Sequence, residues 1–437
     1  MNNQGESVIL EFEGEKPMLY EQEPKSGVEK APEEAMEDSY SFMKETIKSG
    51  RKKHLMQAAK MAVGGLLFGI FACCGFFALK PWVEDTFYEE TPSVNIPEDA
   101  EIEETASQDI EATQSKETIL TAESYEEIME SMYDIVEEAD KSLAIISTVE
   151  ENEGAEGISI SGVIVADNGE ELMILAEDDI CDESAAWTVT FDDKKEYNIS
   201  LKTRDKSRGI AVFSVDRASL SSETKKAVEV CELGNSNFVS RGDVIIALGN
   251  MFGYEGGFDY GIVSSVEHEV TFADGTCRVI ATDIETVSKG TGILFNQSGQ
   301  MIGLIKRDIW QEAESKTANA YAVSDLKAVL ELMLNGKSVP YFGIYGTTVT
   351  EEIAEEQKLP EGVYVTSVEG DSPAMQAGIQ VGDVIQEVDG TDIMSMNSYK
   401  KTILQCEEGE EIKVKAKRRG AEGFVDVSFT VMTGSKK

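Results

Sequence analysis

The strongest constraint on the fold is a long series of short apolar or alternating segments that follows Ala144. About a dozen of these segments succeed one another, from GISISGVIVA and ELMILA to MIGLI and AYAVS, with no helical pattern between them. Turn residues separate them, and turns are predicted at residues 167–169, 249–250, 274–275 and 298–299. Short strands at this spacing predict an all-β barrel or sandwich architecture.

Helices are predicted on both sides of this series. SYEEIMESMYDIVEEADKS precedes it, with Ser124 as the expected N-cap and Glu127 three residues later. SDLKAVLELMLNGK follows it, with a Ser324 cap and an end at Gly336. Beyond Pro340, strand patterns such as GVYVTSV are interleaved with two short helical patterns, SPAMQAGI and SMNSYKKTILQC. This arrangement predicts a small α+β module of roughly 100 residues.

Residues 61–79, MAVGGLLFGIFACCGFFAL, form one uncharged apolar run. At about 1.5 Å of rise per residue, a helix of this length crosses a hydrocarbon core of roughly 30 Å, so one transmembrane helix is predicted. Basic residues precede the run: Lys48, Arg51, Lys52, Lys53 and Lys60. The positive-inside rule therefore predicts a single-pass cell-membrane protein with a cytoplasmic N-terminus and extracytoplasmic C-terminal domains. Because some 60 residues come before the run, we interpret it as an anchor rather than a cleaved signal peptide.

The composition excludes several classes of partner. The formal net charge is −43, from 82 acidic against 39 basic residues, and such a surface repels phosphate, so no nucleic acid partner is expected. The six cysteines include no C-x-x-C pair, and neither a disulfide framework, a metal site nor a cofactor is predicted. Residues 1–60 are interpreted as an acidic cytoplasmic tail with a basic juxtamembrane segment, and residues 80–122 as an extended acidic extracytoplasmic linker.

The order of the segments resembles a known protease family. Five of them stand as in the trypsin-like double β-barrel of the HtrA (high-temperature-requirement, DegP/DegS-like) serine proteases: SISGVIVADNGEELMIL, SRGIAVFSVD, GDVIIALGNMFG, ATDIETVSKGTGILFNQSGQMIGLI and AYAVSDLKAVLELMLNG. The PDZ domain of these proteases is similar to YFGIYG followed by GVYVTSVEGDSPAMQAGIQVGDVIQEVDGTDI. The resemblance implies a mainly β fold, with a trypsin-like domain at residues 123–336 and an α+β PDZ domain at residues 338–433.

The family cleaves peptides with a serine, a histidine and an aspartate, and this sequence departs from the pattern at all three positions. The resemblance puts Gly290 in the serine position, with Thr291 one place away as the fallback nucleophile. Ala176 or Glu177 falls in the histidine position, and Gly209 in the aspartate position. The sequence therefore predicts no catalytic residue and a lost triad.

Other nucleophiles and bases are weak candidates. The chain has two histidines, His54 on the predicted cytoplasmic side and His268 in SSVEHEV, and neither is expected at the site. Residues 288–289 pair a serine with a lysine, but neighbouring side chains on a strand or tight turn point apart. Cys277 is interpreted as a buried core thiol, and the acidic run at residues 177–179 as a solvated loop.

The PDZ-like module carries the predicted binding site. In the family, the loop equivalent to YFGI turns backbone N–H groups toward a peptide's C-terminal carboxylate, and the next strand pairs with the peptide. The resemblance implies that Phe342, Gly343 and Ile344 donate these N–H groups, beside Tyr341. The other wall of the groove is expected from side chains of the helix NSYKKTILQC: Tyr399, Thr402 and Ile403. The alternative interpretation is that these are only core residues of a PDZ fold.

These features predict a membrane-anchored HtrA-like pseudoprotease, an extracytoplasmic scaffold or sensor whose PDZ domain binds C-terminal peptides or unfolded envelope proteins. The alternative is an active HtrA-like serine endopeptidase with a rearranged site, acting in envelope protein quality control. Two further partners are left open by the sequence: further copies of the chain in a homotrimer, and an active HtrA-like protease.

Overall fold

The computed structural model describes residue 61, residues 93–99, 121–149, 157–183, 186–287, 290–306, residue 309 and residues 316–436. Within these ranges, no helix is both long enough and apolar enough to cross a bilayer. The rest of the predicted transmembrane run, residues 62–79, lies outside the described residues, and so does the predicted cytoplasmic tail.

The first domain begins with helix α1, Ala122–Asp140, and continues into a closed barrel of six antiparallel strands. The strands are β1 Leu143–Thr148, β2 Ser159–Asp167, β3 Glu171–Glu177, β4 Trp187–Thr190, β5 Glu196–Asp205 and β6 Ile210–Asp216. They close in the order β1-β2-β3-β6-β5-β4. The alternating run of β1 buries every second side chain, whereas the apolar runs of β3 and β6 are buried along almost their whole length.

A second closed barrel follows, also of six antiparallel strands. They are β7 Val244–Asn250, β8 Gly257–Phe272, β9 Gly275–Glu285, β10 Thr291–Phe295, β11 Met301–Ile305 and β12 Thr317–Ala322, in the order β7-β8-β9-β12-β11-β10. The predicted barrel architecture is therefore confirmed. Two single-turn helices that were not predicted, Ile180–Glu183 and Thr224–Ala227, interrupt the series of strands.

One predicted turn is wrong. Gly249 and Asn250 end strand β7, where Gly249 pairs with Gly292 of β10. Gly249 has φ +139°, and a Cβ there would lie 2.7 Å from the carbonyl oxygen of Thr291. The glycine is therefore required by the close approach of two strands rather than by a turn.

Both predicted helix caps in this domain need correction. Helix α1 begins after Thr121, whose Oγ1 accepts the N–H of Ser124 at 3.2 Å, so Ser124 lies inside the first turn. After the second barrel, helix α2 spans Val323–Leu334 and is preceded by Ala322, which makes no side-chain cap. Ser324 instead donates its hydroxyl to Asp99 at 2.5 Å. Serine is a favoured N-cap residue, but here Thr121 caps helix α1 and Ser324 bonds to Asp99 instead.

Part of the predicted linker lies against the second barrel. The N–H of Val94 donates to Asn335 Oδ1 at 2.9 Å, and Asn335 Nδ2 donates to the Val94 carbonyl at 2.7 Å. Ile96 is buried, and Asp99 forms an ion pair with Lys327 at 2.7 Å. Residues 93–99 are therefore fixed to the surface of helix α2.

The PDZ-like module comprises the rest of the chain. Its strands are β13 Pro340–Tyr341, β14 Ile344–Val349, β15 Gly362–Val368, β16 Val384–Val388, β17 Thr391–Asp392, β18 Glu411–Arg419, β19 Phe424–Met432 and β20 Gly434–Ser435. Its helices are α3 Glu351–Gln357, α4 Pro373–Ala377 and α5 Met396–Ile403, of which α3 was not predicted. The main sheet has the order β14-β15-β16-β18-β19, so β14 is an edge strand beside helix α5.

Candidate functional site

Gly290, in the serine position, directly precedes β10. A Cβ at Gly290 would lie 2.6 Å from the carbonyl oxygen of Met251 and 2.2 Å from Thr286 Oγ1, so no side chain fits without a backbone shift. The N–H of Gly290 donates to the carbonyl of Val287 at 2.9 Å. This N–H is therefore used inside its own loop and is not directed at a substrate oxygen. Residues 288–289 lie outside the described residues.

Thr291, the fallback nucleophile, is 1% exposed and joins the two barrels. Its Oγ1 accepts the N–H of Ser161 in β2 at 2.8 Å, and Ser161 Oγ donates to the Thr291 carbonyl at 3.2 Å. Ser161 Oγ also accepts the N–H of Asn250 at 2.7 Å. The Thr291 hydroxyl is thus part of a buried hydrogen-bonded bridge between strands.

The histidine and aspartate positions come together at the end of β3 and the start of β6. A Cβ at Gly209 would lie 2.8 Å from Lys306 Nζ and 3.2 Å from Asp178 Oδ1. Two side chains therefore face Gly209: Lys306, and Asp178, which is one residue after the predicted Glu177. The interpretation of the acidic run as a solvated loop is wrong for two of its residues, since Glu177 is 1% and Asp178 5% exposed.

Two cations form ion pairs with this acidic cluster. Lys306 Nζ lies 3.6 Å from Glu177 Oε1 and 3.9 Å from Asp179 Oδ1. Arg204 donates from Nε to Asp178 Oδ2 at 2.8 Å. Burial raises the pKa of Asp178, and the Arg204 hydrogen bond opposes that shift. Because these carboxylates are held by cations, the cluster is built as a network of ion pairs.

The remaining candidates for a base or nucleophile have other surroundings. His268 lies on strand β8, where its side chain is exposed and its backbone is opposite Val279. Cys277 is buried, and burial raises the pKa of its thiol to about 12, which keeps it protonated at neutral pH. His54 lies outside the described residues.

The PDZ loop holds a carboxylate from elsewhere in the chain. Asp274, in the turn between β8 and β9, accepts on Oδ2 the N–H groups of Phe342 at 2.7 Å and Gly343 at 2.8 Å. Its Oδ1 accepts the N–H of Ile344 at 3.1 Å and the hydroxyl of Tyr399 at 2.8 Å. All four donors converge on one buried carboxylate.

Gly343 is the residue that permits this geometry. It has φ +90°, and a Cβ there would lie 2.3 Å from Ser372 Cβ and 2.8 Å from the Tyr341 hydroxyl. A side chain is therefore excluded both by backbone conformation and by close neighbours. The result is a turn whose consecutive N–H groups point to the same side, which is the arrangement of an anion-binding nest.

The other predicted binding residues lie on helix α5 and in strand β13. Tyr399, on helix α5, is fully buried and bonded to Asp274, and burial raises its pKa well above the usual value. Ile403 and Thr402 are buried on the same helix, and Ile403 belongs to the apolar core of the module. Tyr341 donates its hydroxyl to Glu369 at 2.8 Å. The structure thus brings Phe342, Gly343, Ile344 and Tyr399 together around one anion.

Asp274 itself was missed as a site residue. The sequence marks Asp274 and Gly275 only as a turn between two strands, and Asp274 does lie in that turn with φ +65°. Its partners are 68 to 125 residues away in the chain, so no local pattern connects them. The signal that remains in the sequence is a charged residue at the tip of a long hairpin.

Two family models match the chain. The "Trypsin-like peptidase domain" matches residues 160–304, and the "PDZ domain" matches residues 340–429. The fold and these matches define the class: a two-barrel, peptidase-like domain followed by a PDZ domain.

Curated relatives narrow the class to one family. The chain is 28% identical over 286 residues to a "Probable periplasmic serine endoprotease DegP-like" of Brucella suis, which covers 63% of this chain and 53% of the relative. It is 25% identical over 295 residues to the "Serine protease Do-like HtrB" of Bacillus subtilis, with 63% of each chain covered. The chain thus spans about half to two thirds of the length of these relatives. Together with the two family models, these relatives support an HtrA-like family.

A solved structure has the same fold. The "HtrA-type protease AlgW with tripeptide" superposes with a TM-score of 0.50 at 23% identity, covering 70% of this chain and 97% of that chain.

Proposed function

We propose that the protein is an HtrA-like pseudoprotease whose PDZ domain captures the free C-termini of other proteins. The observation that carries this proposal is the convergence of three backbone N–H groups, from Phe342, Gly343 and Ile344, on a single carboxylate. A peptide's terminal carboxylate has the same two oxygens and the same charge. Beside the loop, β14 lies at the edge of the main sheet, where an extended peptide adds as a further strand in this proposal.

The peptidase-like barrels serve as a scaffold in this proposal. Gly290 offers no nucleophile, and the Thr291 hydroxyl is buried in the bridge to Ser161. Asp178 and Glu177 are held near Arg204 and Lys306 instead of a histidine. A serine-type reaction needs a base that can take the proton of the nucleophile, and these ion-paired carboxylates are poorly suited to that role.

The proposed setting is the outer face of a membrane. The apolar run at residues 61–79 and its basic N-terminal flank support a single-pass anchor with the N-terminus in the cytoplasm. The two barrels and the PDZ domain then face the extracytoplasmic space, where exposed C-termini of envelope proteins are the proposed ligands. A homotrimer or a complex with an active HtrA-like protease extends the same proposal.

Calorimetric titration of the full-length chain in detergent tests the binding function. A short peptide that ends in an apolar residue with a free carboxylate is expected to bind with a dissociation constant in the micromolar range or higher. This corresponds to a binding free energy of about −8 kcal/mol or weaker. The same peptide with an amidated C-terminus is expected to lose most of this affinity, because an amide brings no charge to the N–H donors. Equal binding of the acid and the amide would remove C-terminal capture as a function.

A further inference from the structure

The predicted carboxylate site of the PDZ domain is already filled by the chain itself. Asp274 is 4% exposed, and both of its carboxylate oxygens accept hydrogen bonds from the PDZ domain. The donors are the same N–H groups that a peptide's carboxylate would need. Two carboxylates cannot share these donors, because each N–H is directed at one oxygen and like charges repel at such distances.

The backbone of Asp274 adds a second contact of the same kind. Its N–H donates to the carbonyl of Ile344 at 2.7 Å, and Ile344 is the first residue of edge strand β14. A peptide that adds to a sheet edge pairs its own N–H and C=O groups with that edge. Asp274 therefore makes both interactions expected of a terminal residue: a carboxylate in the loop and a backbone bond to the edge strand.

The occupant belongs to the second barrel. Strands β8 and β9 pair up to Phe272 and Gly275, so Asp274 lies at the tip of their hairpin. Helix α5 makes another contact in the same region, where Lys400 Nζ donates to the carbonyl of Asp325 at 2.8 Å. Removing Asp274 from the loop therefore means separating the hairpin tip from the PDZ domain.

We propose that Asp274 is an intramolecular competitor that holds the PDZ loop closed, so that a C-terminal peptide binds only by displacing the hairpin tip. This proposal rests on the proposed function, since it concerns the same loop and the same class of ligand. Peptide binding is then coupled to the contact between the second barrel and the PDZ domain. The apparent affinity of the wild-type chain is lowered by the small fraction of molecules in which the loop is open.

The substitution Asp274→Asn tests the competitor with little change in shape. An asparagine has one acceptor oxygen and one NH₂ group, so one of the two positions now occupied by oxygens would present a donor to the N–H groups. Asparagine also tolerates positive φ, so the turn is retained. Asp389→Asn is the matched control, because Asp389 also precedes a glycine, has φ +47° and is exposed.

The measurement is fluorescence anisotropy of a labelled short peptide, as free acid and as amide, titrated with each full-length variant in detergent. The free acid is expected to bind Asp274→Asn at least about tenfold more tightly than the wild type, and Asp389→Asn is expected to match the wild type. If Asp274→Asn binds the acid no more tightly than the wild type while acid and amide still differ, the competitor is refuted and C-terminal capture stands. If every variant binds the free acid and the amide equally well, both C-terminal capture and the competitor are refuted.

Hydrogen exchange on the wild-type chain gives a test that does not depend on the variant's folding. The amide of Asp274 is bonded to the Ile344 carbonyl and is expected to be protected in the free protein. Saturation with the free-acid peptide should abolish this protection, while amides inside the barrel strands keep theirs. Unchanged protection at the hairpin tip under saturation would show that peptide and Asp274 do not exclude each other.

Discussion

The loop before β10 and the loop before β14 each contain a glycine that its neighbours require, yet their N–H groups have different partners. The N–H of Gly290 donates to Val287 within its own loop, whereas those of Phe342 and Gly343 leave the loop for a carboxylate. At Gly290 the backbone carbonyl of Met251 excludes a side chain, and at Gly343 Ser372 does so. Glycine content therefore does not define an anion site, whereas the direction of the N–H groups does.

The charges beside Gly209, which precedes β6 in the peptidase-like domain, also differ from those beside Gly343. Around Gly209, the carboxylates of Glu177 and Asp178 form ion pairs with Lys306 and Arg204. Around Gly343, the carboxylate of Asp274 is balanced by N–H and hydroxyl dipoles, with a tyrosine rather than a cation as the fourth donor. A dipolar site can exchange one carboxylate for another without leaving a cation unpaired.

The largest effect in this comparison is expected for Gly343→Ala. Positive φ costs an alanine about 1–2 kcal/mol, and the contact with Ser372 adds about 1–3 kcal/mol of overpacking. Gly378→Ala is the control, because Gly378 has φ +88° but no atom near its Cβ position. Native-state hydrogen exchange of β15 amides reports both free energies. The Gly343 variant should also lose peptide binding. Equal costs at the two positions would mean that the loop is not tightly packed.

A smaller effect is expected for Lys306→Met. Glu177 and Lys306 are 1% and 10% exposed, and the substitution takes one cation away from a buried carboxylate, which should cost about 2–4 kcal/mol. Lys415→Met is the control: Lys415 pairs with Glu387 at 2.7 Å but is 60% exposed, and its loss should cost about 0–1 kcal/mol. Hydrogen exchange of β3 amides measures the first effect, and β18 amides the second. Peptide binding should not change in either variant. A loss of peptide binding in Lys306→Met would show instead that the ion-pair cluster beside Gly209 is coupled to the PDZ loop.

Most of the fold was predictable because its signals are local. Alternating runs such as that of β1 bury every second residue, and glycines at turns such as Gly169, with φ +90°, end the strands where the sequence predicts. The predicted turn at residues 249–250 is wrong because the sequence alone does not distinguish a glycine required by a close neighbouring strand from a glycine required by a turn.

The candidate site was less predictable because its partners are distant in sequence. The sequence pattern of Glu177 and Asp178 indicates a solvated run, whereas ion pairs with Lys306 and Arg204 stabilise them in buried positions. The loop Phe342–Gly343–Ile344 was found through the resemblance to PDZ domains, but Asp274 was not, since a turn aspartate has the same local signature whether or not it is bound elsewhere. Sequence patterns predict the helices and strands, whereas contacts between distant residues determine which side chains form the site.

The most direct test measures peptide binding by the PDZ loop and peptide cleavage by the loop before β10 in the same sample. The full-length Asp274→Asn chain is equilibrated by dialysis against a short free-acid peptide, and the peptide in both compartments is quantified and weighed by mass spectrometry. The account predicts that the peptide accumulates on the protein side at its original mass, and that its amide does not accumulate. Shorter peptide products that are absent when Thr291→Val is combined with Asp274→Asn would contradict this proposal. The loop before β10 would then cleave the peptide that the PDZ domain is proposed to bind without cleavage.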